Sequence, residues 1–161
     1  MKDTIRWGIV GAGAIAHKFA AAVENVEGAE VTAIASRTID RAKEFAEVHG
    51  IPNTFEGYEE MAKSDVIDAV YIATLNAFHA PYTELFLKAG KHVLCEKPCM
   101  LSLEDLDEVL AVAKETGKLF TVHQNRRWDV DFLATKQVIS SGEIGDVIKI
   151  DTRNEEYLSR V

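Results

Sequence analysis

Cysteine is scarce in this 161-residue chain: Cys95 and Cys99 are the only two. No disulfide framework can be built from them, and a four-residue separation with no second pair is poor metal spacing, so no metal is expected. Basic charge is also in deficit. Against 26 Asp and Glu stand 18 Lys and Arg, a formal net charge of -8. That balance excludes a broad nucleic-acid or anionic-membrane surface and leaves room only for a local basic pocket. No stretch approaches the ~18 unbroken apolar residues of a membrane span. Met1-Lys2-Asp3 leads straight into a strand-like run, without the apolar core of a signal peptide, so a cytoplasmic location is expected. There is no internal repeat and no low-complexity segment. The length suits one domain with a sizeable core and is short for two.

What is present is organised around Gly11-Ala12-Gly13-Ala14-Ile15-Ala16, placed between the apolar run Ile5 to Val10 and an alanine-rich, helix-compatible segment. Each small residue meets a separate demand of a dinucleotide-binding turn. Gly11 permits the tight strand-to-helix turn, Gly13 lets backbone approach a pyrophosphate, and Ala16 allows close packing of helix on strand. The free N–H groups at Ala14 and Ile15 would receive the pyrophosphate, where the helix dipole favours negative charge.

Strand-like and helix-like segments then alternate. Helix is expected over about 14–26, strand over 30–35, helix after Thr38 as its cap, a short strand over 52–55, and a short helix over 59–63. Asp68 to Ala73 reads as a central parallel strand buried on both faces. A helix with Pro81 in its first turn, a strand over 91–95, a helix from the Ser102 cap to Gly117 and a strand over 119–122 follow. In that last helix Leu103, Leu106, Leu110 and Ala113 keep the helical period. This is an α/β doubly wound parallel sheet in two βαβαβ halves, a Rossmann fold, over residues 1–122. Residues 123–161 are expected to hold a linker helix over 131–141 and one alternating strand over 147–152, the start of a second α+β domain. That strand would be an unpaired edge, prone to pairing with a second copy.

Candidate chemistry sits at the carboxyl ends of the strands. Where NAD-specific folds end strand two in a carboxylate for the ribose 2'-hydroxyl, this chain has Ser36-Arg37, with Arg41 four residues on. Two arginines can meet a 2'-phosphate, so NADP is favoured, with NAD or dual specificity left open. After strand four, Thr74, Leu75, Asn76 and His79 reach the same crevice. His79 either faces the nicotinamide side or is a buried, satisfied histidine just before Pro81. After strand five comes Cys95-Glu96-Lys97-Pro98-Cys99. Lys97 can hydrogen-bond a substrate oxygen, or exchange its proton if buried, and Glu96 can position that ammonium or a cofactor ribose. The alternative is a solvated Glu-Lys pair.

These motifs together resemble the glucose-fructose oxidoreductase / inositol dehydrogenase / MocA (Gfo/Idh/MocA) family. They are Gly11-x-Gly13-x-x-Ala16, Ala35-Ser36-Arg37, Asn76-x-x-His79, the run Gly90 to Pro98 with Glu96-Lys97-Pro98, and Gln124-Asn125-Arg126-Arg127-Trp128-Asp129. The resemblance implies hydride transfer between a sugar or polyol and a nicotinamide cofactor. It makes Lys97 the catalytic group, with Asn76, His79 and Glu96 at the nicotinamide end. Asn125 and Arg127 approach cofactor or substrate, or Arg127 pairs with Asp129 while Trp128 packs at a domain junction. Family members carry a second domain that binds substrate and mediates oligomerisation. Nearly all of it is missing here, so the chain looks like an N-terminal half, by truncation or by a split gene, and a homo-oligomer is left open. The expected partner is a small-molecule substrate, with no nucleic acid and no membrane. The competing readings are a non-catalytic dinucleotide-sensing or regulatory module and an inactive fragment.

Overall fold

The computed structural model describes residues 4–153, which fall into two compact units divided between His123 and Gln124. The first unit alternates strand and helix throughout: β1 (Ile5–Val10), α1 (Ala14–Val23), β2 (Ala29–Ser36), α2 (Ile39–His49), β3 (Asn53–Glu56), α3 (Glu59–Lys63), β4 (Ala69–Ile72), α4 (His79–Lys88), β5 (His92–Cys95), α5 (Leu103–Thr116) and β6 (Phe120–Val122). A 3-10 turn, Asn76–Phe78, leads into α4. The strands form one sheet in the order β3-β2-β1-β4-β5-β6, and every neighbouring pair is parallel. The chain therefore reverses its direction of travel between β1 and β4, and it is outside the carboxyl ends of those strands that a crevice opens.

Successive strand residues face opposite sides, and the core accordingly divides in two. On one side Val10, Val70, Ile72, Val93 and Cys95 pack with Phe86, Leu87, Val109 and Val112 from α4 and α5. On the other, Ile9, Ile34 and Tyr71 pack with Ala16 and Ala20 of α1 and Ala42 and Phe45 of α2. Every residue of β4 is buried, as the unbroken apolar run predicts for a strand covered on both faces. The alanines of α1 bring its backbone close to the sheet, which keeps the glycine turn tight against β1.

Two details differ from the expectations. Thr38 stands at the N-cap of α2 but its side chain makes no capping bond, whereas Ser102 does cap α5, its Oγ accepting the Asp105 N–H at 3.0 Å. The buried stripe of α5 is Val109 and Val112, while Leu103 is 79% exposed and Leu110 about half exposed. Leucine and valine occupy two overlapping helical stripes there, and contact with the sheet selects the valine one.

The second unit holds a 3-10 turn, Asn125–Trp128, and α6 (Val130–Ser141), which ends at Gly142 in a left-handed conformation. Residues 147–152 form no strand, and Ile148 is 98% exposed. Their alternating pattern is that of a strand, yet a strand exists only through ladder bonds to a neighbour, and among the described residues it has none. The expected edge for pairing with a second copy is thus not formed. Among the described residues no helix is long and apolar enough to cross a membrane.

Candidate dinucleotide-binding site

The two glycines of the turn differ in what surrounds them. Gly11 has φ +97°, and a Cβ there would lie 2.9 Å from the Ala73 carbonyl oxygen at the end of β4. Its N–H donates to Ala35 O at 2.9 Å. Gly11 is therefore a glycine for the chain's own packing. Gly13 is the N-cap of α1 with φ -97°, and a Cβ there would meet nothing within 4 Å. Neither its conformation nor its neighbours require glycine. The first-turn N–H groups behind it, at Ala14 and Ile15, have no acceptor inside the helix and no side-chain cap.

A cavity of about 260 Å³ opens beside this turn, walled by Gly11, Ala12 and Gly13, by Ser36, Arg37 and Arg41, by Ala73, Thr74 and Leu75, and by Tyr58, Phe78 and Tyr82. It joins the ends of β1, β2 and β4. Ser36 is buried at the end of β2, and among the described residues no carboxylate lines the cavity. Arg41 Nη2 donates to Ala12 O at 3.4 Å, laying its guanidinium along the glycine turn. Burial raises the Tyr58 phenol above its ordinary value and the Tyr82 phenol adds to this, while the positive charges of Arg37 and Arg41 pull against both. The basic charge is thus felt inside the cavity. Tyr82 stacks on Phe78 at 5.7 Å and tilts against Tyr58 at 4.4 Å, giving the cavity an aromatic wall. Sequence reading missed this wall, since Tyr58 and Tyr82 lie in or beside short helices with no motif of their own.

The cavity gathers Gly11, Gly13, Ser36, Arg37, Arg41, Thr74 and Leu75 from among the expected residues. The donor set fits a phosphorylated nucleotide: open backbone N–H groups, a glycine whose missing Cβ faces open space, and two guanidiniums in the wall, with the Glu59 carboxylate felt by Tyr58 and Tyr82 from outside the lining.

Of the other expected residues, Asn76 is exposed in the 3-10 turn. His79 is fully buried, with Nδ1 2.8 Å from Pro98 O and Nε2 3.3 Å from Thr74 O. Of its two readings the geometry supports the buried one: the ring ties the loop after β4 to the loop after β5. Lys97 is exposed, so the burial invoked for proton exchange is not supplied by the described residues. The peptide bond Lys97-Pro98 is cis. Cys95 beneath it is buried, which pushes its thiol up to about 12. Asn125 is exposed in the second unit. There the ion pair is Arg126–Asp129 at 2.7 Å, in place of the expected Arg127–Asp129, and Trp128 is 77% exposed rather than packed.

Among the described residues Glu96 holds no ammonium. It is 6% exposed, and its Oε1 accepts from Tyr71 Oη at 2.5 Å and His123 Nδ1 at 2.7 Å. Its Oε2 accepts from the Lys97 backbone N–H at 3.1 Å. Burial raises the carboxyl, but the bonds from Tyr71, His123 and Lys97 outweigh it, so Glu96 lies below the ordinary carboxylate range. Burial and the neighbouring carboxylate push the Tyr71 phenol far up. Tyr71 and His123 carried no sequence motif. The available signals were a tyrosine inside a strand buried on both faces, whose hydroxyl needs a partner, and a histidine just past β6 at the ligand-binding end of the sheet.

Because folding lowers the proton affinity of Glu96, its ionised form stabilises the fold at every pH above the ordinary Glu value of ~4.3, and this contribution is lost as pH falls through the lowered folded-state value. Glu96→Gln is expected to cost about 2 kcal/mol in urea unfolding at pH 7, the worth of a hydrogen bond to a charged group. The gap should narrow towards pH 3, whereas a gap that ignores pH would show that charge plays no part.

A six-stranded parallel sheet in this order, with a glycine turn and a phosphate-ready helix end at its switch point, is a dinucleotide-binding Rossmann domain. A sequence profile of the GFO_IDH_MocA oxidoreductase family, NAD-binding Rossmann fold, matches residues 5–124. The chain belongs to this family. It is 38% identical to mouse (Mus musculus) trans-1,2-dihydrobenzene-1,2-diol dehydrogenase over 89% of the chain and 44% of that protein. With scyllo-inositol 2-dehydrogenase (NADP(+)) IolU of Bacillus subtilis (strain 168) it shares 35% identity over 97% of the chain and 47% of that protein. The structure of KijD10, a 3-ketoreductase from Actinomadura kijaniata in complex with NADP, matches with a TM-score of 0.82 at 36% identity, covering 89% of this chain and 46% of that one. The chain thus spans about half the length of the relatives it matches, their N-terminal portion.

Proposed function

We propose that this chain is the cofactor-binding portion of an NADP-preferring oxidoreductase that transfers hydride to or from a sugar, polyol or related carbonyl compound. The observation that carries the reading is the pairing of Arg37 and Arg41 with a carboxylate-free end of β2 beside the open glycine turn. Relatives named for NADP-dependent inositol oxidation and for 3-ketoreduction with NADP support it. Gly13 leaves room for the pyrophosphate against the N–H groups of Ala14 and Ile15, and Ser36, Arg37 and Arg41 hold the 2'-phosphate. Thr74 and Leu75 wall the site, with Asn76 contributing to the nicotinamide end. His79 serves there by fixing two loops. Lys97 donates a hydrogen bond to the substrate oxygen and stabilises negative charge that develops on it. When bound, the dinucleotide supplies the hydride donor or acceptor. A cytoplasmic location fits this reading. Self-association would run through exposed apolar side chains such as Ile148 and Ile150 rather than through a formed edge strand.

The test is a fluorescence titration with NADPH and NADH separately. NADPH is expected to bind ~10- to 100-fold more tightly, the worth of one charge-assisted contact to the 2'-phosphate. Arg37→Ala with Arg41→Ala should erase the difference. Equal affinities in the unaltered chain would overturn the NADP preference, and absence of binding to both would overturn the cofactor-binding reading.

A further inference from the structure

Tyr71, Glu96 and His123 lie 25 and 27 positions apart in sequence, and the sheet brings them together. Strand register pairs Ile72 with Cys95 and Cys95 with Val122, so Glu96 and His123 each stand one residue past the same rung. Tyr71 stands one residue before it, on β4. Facing a carboxylate, His123 Nδ1 carries its hydrogen and donates it, as Tyr71 Oη does, and both bonds converge on Oε1. The phenol oxygen and Nδ1 are themselves only 3.5 Å apart. The remaining oxygen, Oε2, is turned to the backbone N–H of Lys97. Phe19 of α1 closes the other side, stacked on the Tyr71 ring at 4.0 Å and edge-on to His123 at 6.3 Å. Packed so, neither donor has an easy alternative orientation, and the carboxylate has one direction left in which to act: towards the turn that carries Lys97.

We propose that Tyr71 and His123 are positioning residues, which fix Glu96 and, through its bond to the Lys97 N–H, fix the turn that presents the Lys97 side chain to the nicotinamide half of the cofactor. The functional part of this inference rests on the oxidoreductase reading above. A purely structural stitch between β4, β5 and β6 is the competing account, and it predicts a loss of stability without selectivity between the two halves of the ligand.

The experiment uses the 161-residue chain and three variants. Tyr71→Phe removes one oxygen at constant shape, His123→Leu removes the ring donor, and His123→Asn keeps an N–H near the Nδ1 position. Two quantities are measured: hydrogen exchange of the Lys97 amide in the free protein, by NMR, and affinities for NADPH and for adenosine 2',5'-bisphosphate, which lacks the nicotinamide half. In Tyr71→Phe and His123→Leu, Lys97 exchange should rise and NADPH affinity should fall, each on the order of tenfold, the worth of one hydrogen bond to a charged group. Exchange at Ile9 and Val10 and affinity for adenosine 2',5'-bisphosphate should stay unchanged. His123→Asn should recover most of both losses. Unchanged Lys97 exchange in these variants, or an equal loss for the two ligands, would overturn the proposal. If the unaltered chain binds neither ligand, the cofactor reading fails and the nicotinamide part of the proposal falls with it, while Lys97 exchange still decides whether the turn is anchored as described.

Discussion

Gly11→Ala should destabilise the chain by ~3 kcal/mol or more, while Gly13→Ala, two residues on, should leave folding nearly untouched and remove cofactor binding. At Gly11 the backbone has φ +97°, where a non-glycine residue costs about 1–2 kcal/mol. The added Cβ also meets Ala73 O at 2.9 Å and Ala73 C at 3.2 Å. Both are backbone atoms at the end of a fully buried strand, so relief must come from shifting β1 against β4, an overpacking cost of about 1–3 kcal/mol. In a domain whose whole stability is of the order of 5–15 kcal/mol, that is a large share. At Gly13 φ is -97° and the space for a Cβ is empty, so thermal unfolding should move by no more than a few degrees. A methyl group there nevertheless occupies the side from which a pyrophosphate would approach, and NADPH affinity should fall at least ~30-fold, about 2 kcal/mol. Calorimetry and fluorescence titration on the two variants separate the effects. Equal destabilisation by both, or unimpaired binding by Gly13→Ala, would contradict the assignment of Gly11 to the fold and Gly13 to the ligand.

Lys97→Ala carries the second large effect, and it should fall more heavily on turnover than on binding. The side chain is exposed and lines no part of the cavity at the glycine turn, so NADPH affinity should fall by no more than ~10-fold, the loss expected when the Lys97 turn is loosened. Loss of the polar group at the substrate oxygen should slow hydride transfer by about 10²- to 10⁴-fold, the usual range for a positioned proton-donating group. The measurement is single-turnover nicotinamide absorbance with polyol and sugar substrates, using this chain fused to the C-terminal half of the inositol dehydrogenase it matches. Equal loss of kcat and kcat/KM would mark an interaction made in the transition state. A change in KM alone would reassign Lys97 to substrate binding.

Much of this architecture is written in local spacing. The Gly11–Ala16 turn, the alternation of apolar runs with helical stripes, and Gly50, Gly90 and Gly117 as helix stops all act over a few residues, so they are legible one segment at a time. Ser36-Arg37 and Arg41 were legible for the same reason, by their distance from the glycine turn. Where two local patterns competed, contact decided. Leu103 and Leu110 fit the helical period of α5 as well as Val109 and Val112 do, and packing against the sheet buries only the valines. Arg126 and Arg127 are equal candidates in sequence, and the pitch of the 3-10 turn brings Arg126 to Asp129. Residues 147–152 have a strand's alternation without a neighbour to bond.

By itself, then, the sequence determined the order of the elements, the parallel doubly wound sheet and the phosphate end of the site, because those follow from periodicity and from residue types at fixed short offsets. Tertiary structure alone decided that His79 is buried between two carbonyl oxygens, that Phe78 and Tyr82 wall the nucleotide cavity, and that Glu96 answers to Tyr71 and His123 instead of to the Lys97 ammonium. Each of those depends on which strands lie side by side and in what register. Residues 25 positions apart become neighbours only when three parallel strands pair, and no local pattern encodes that distance.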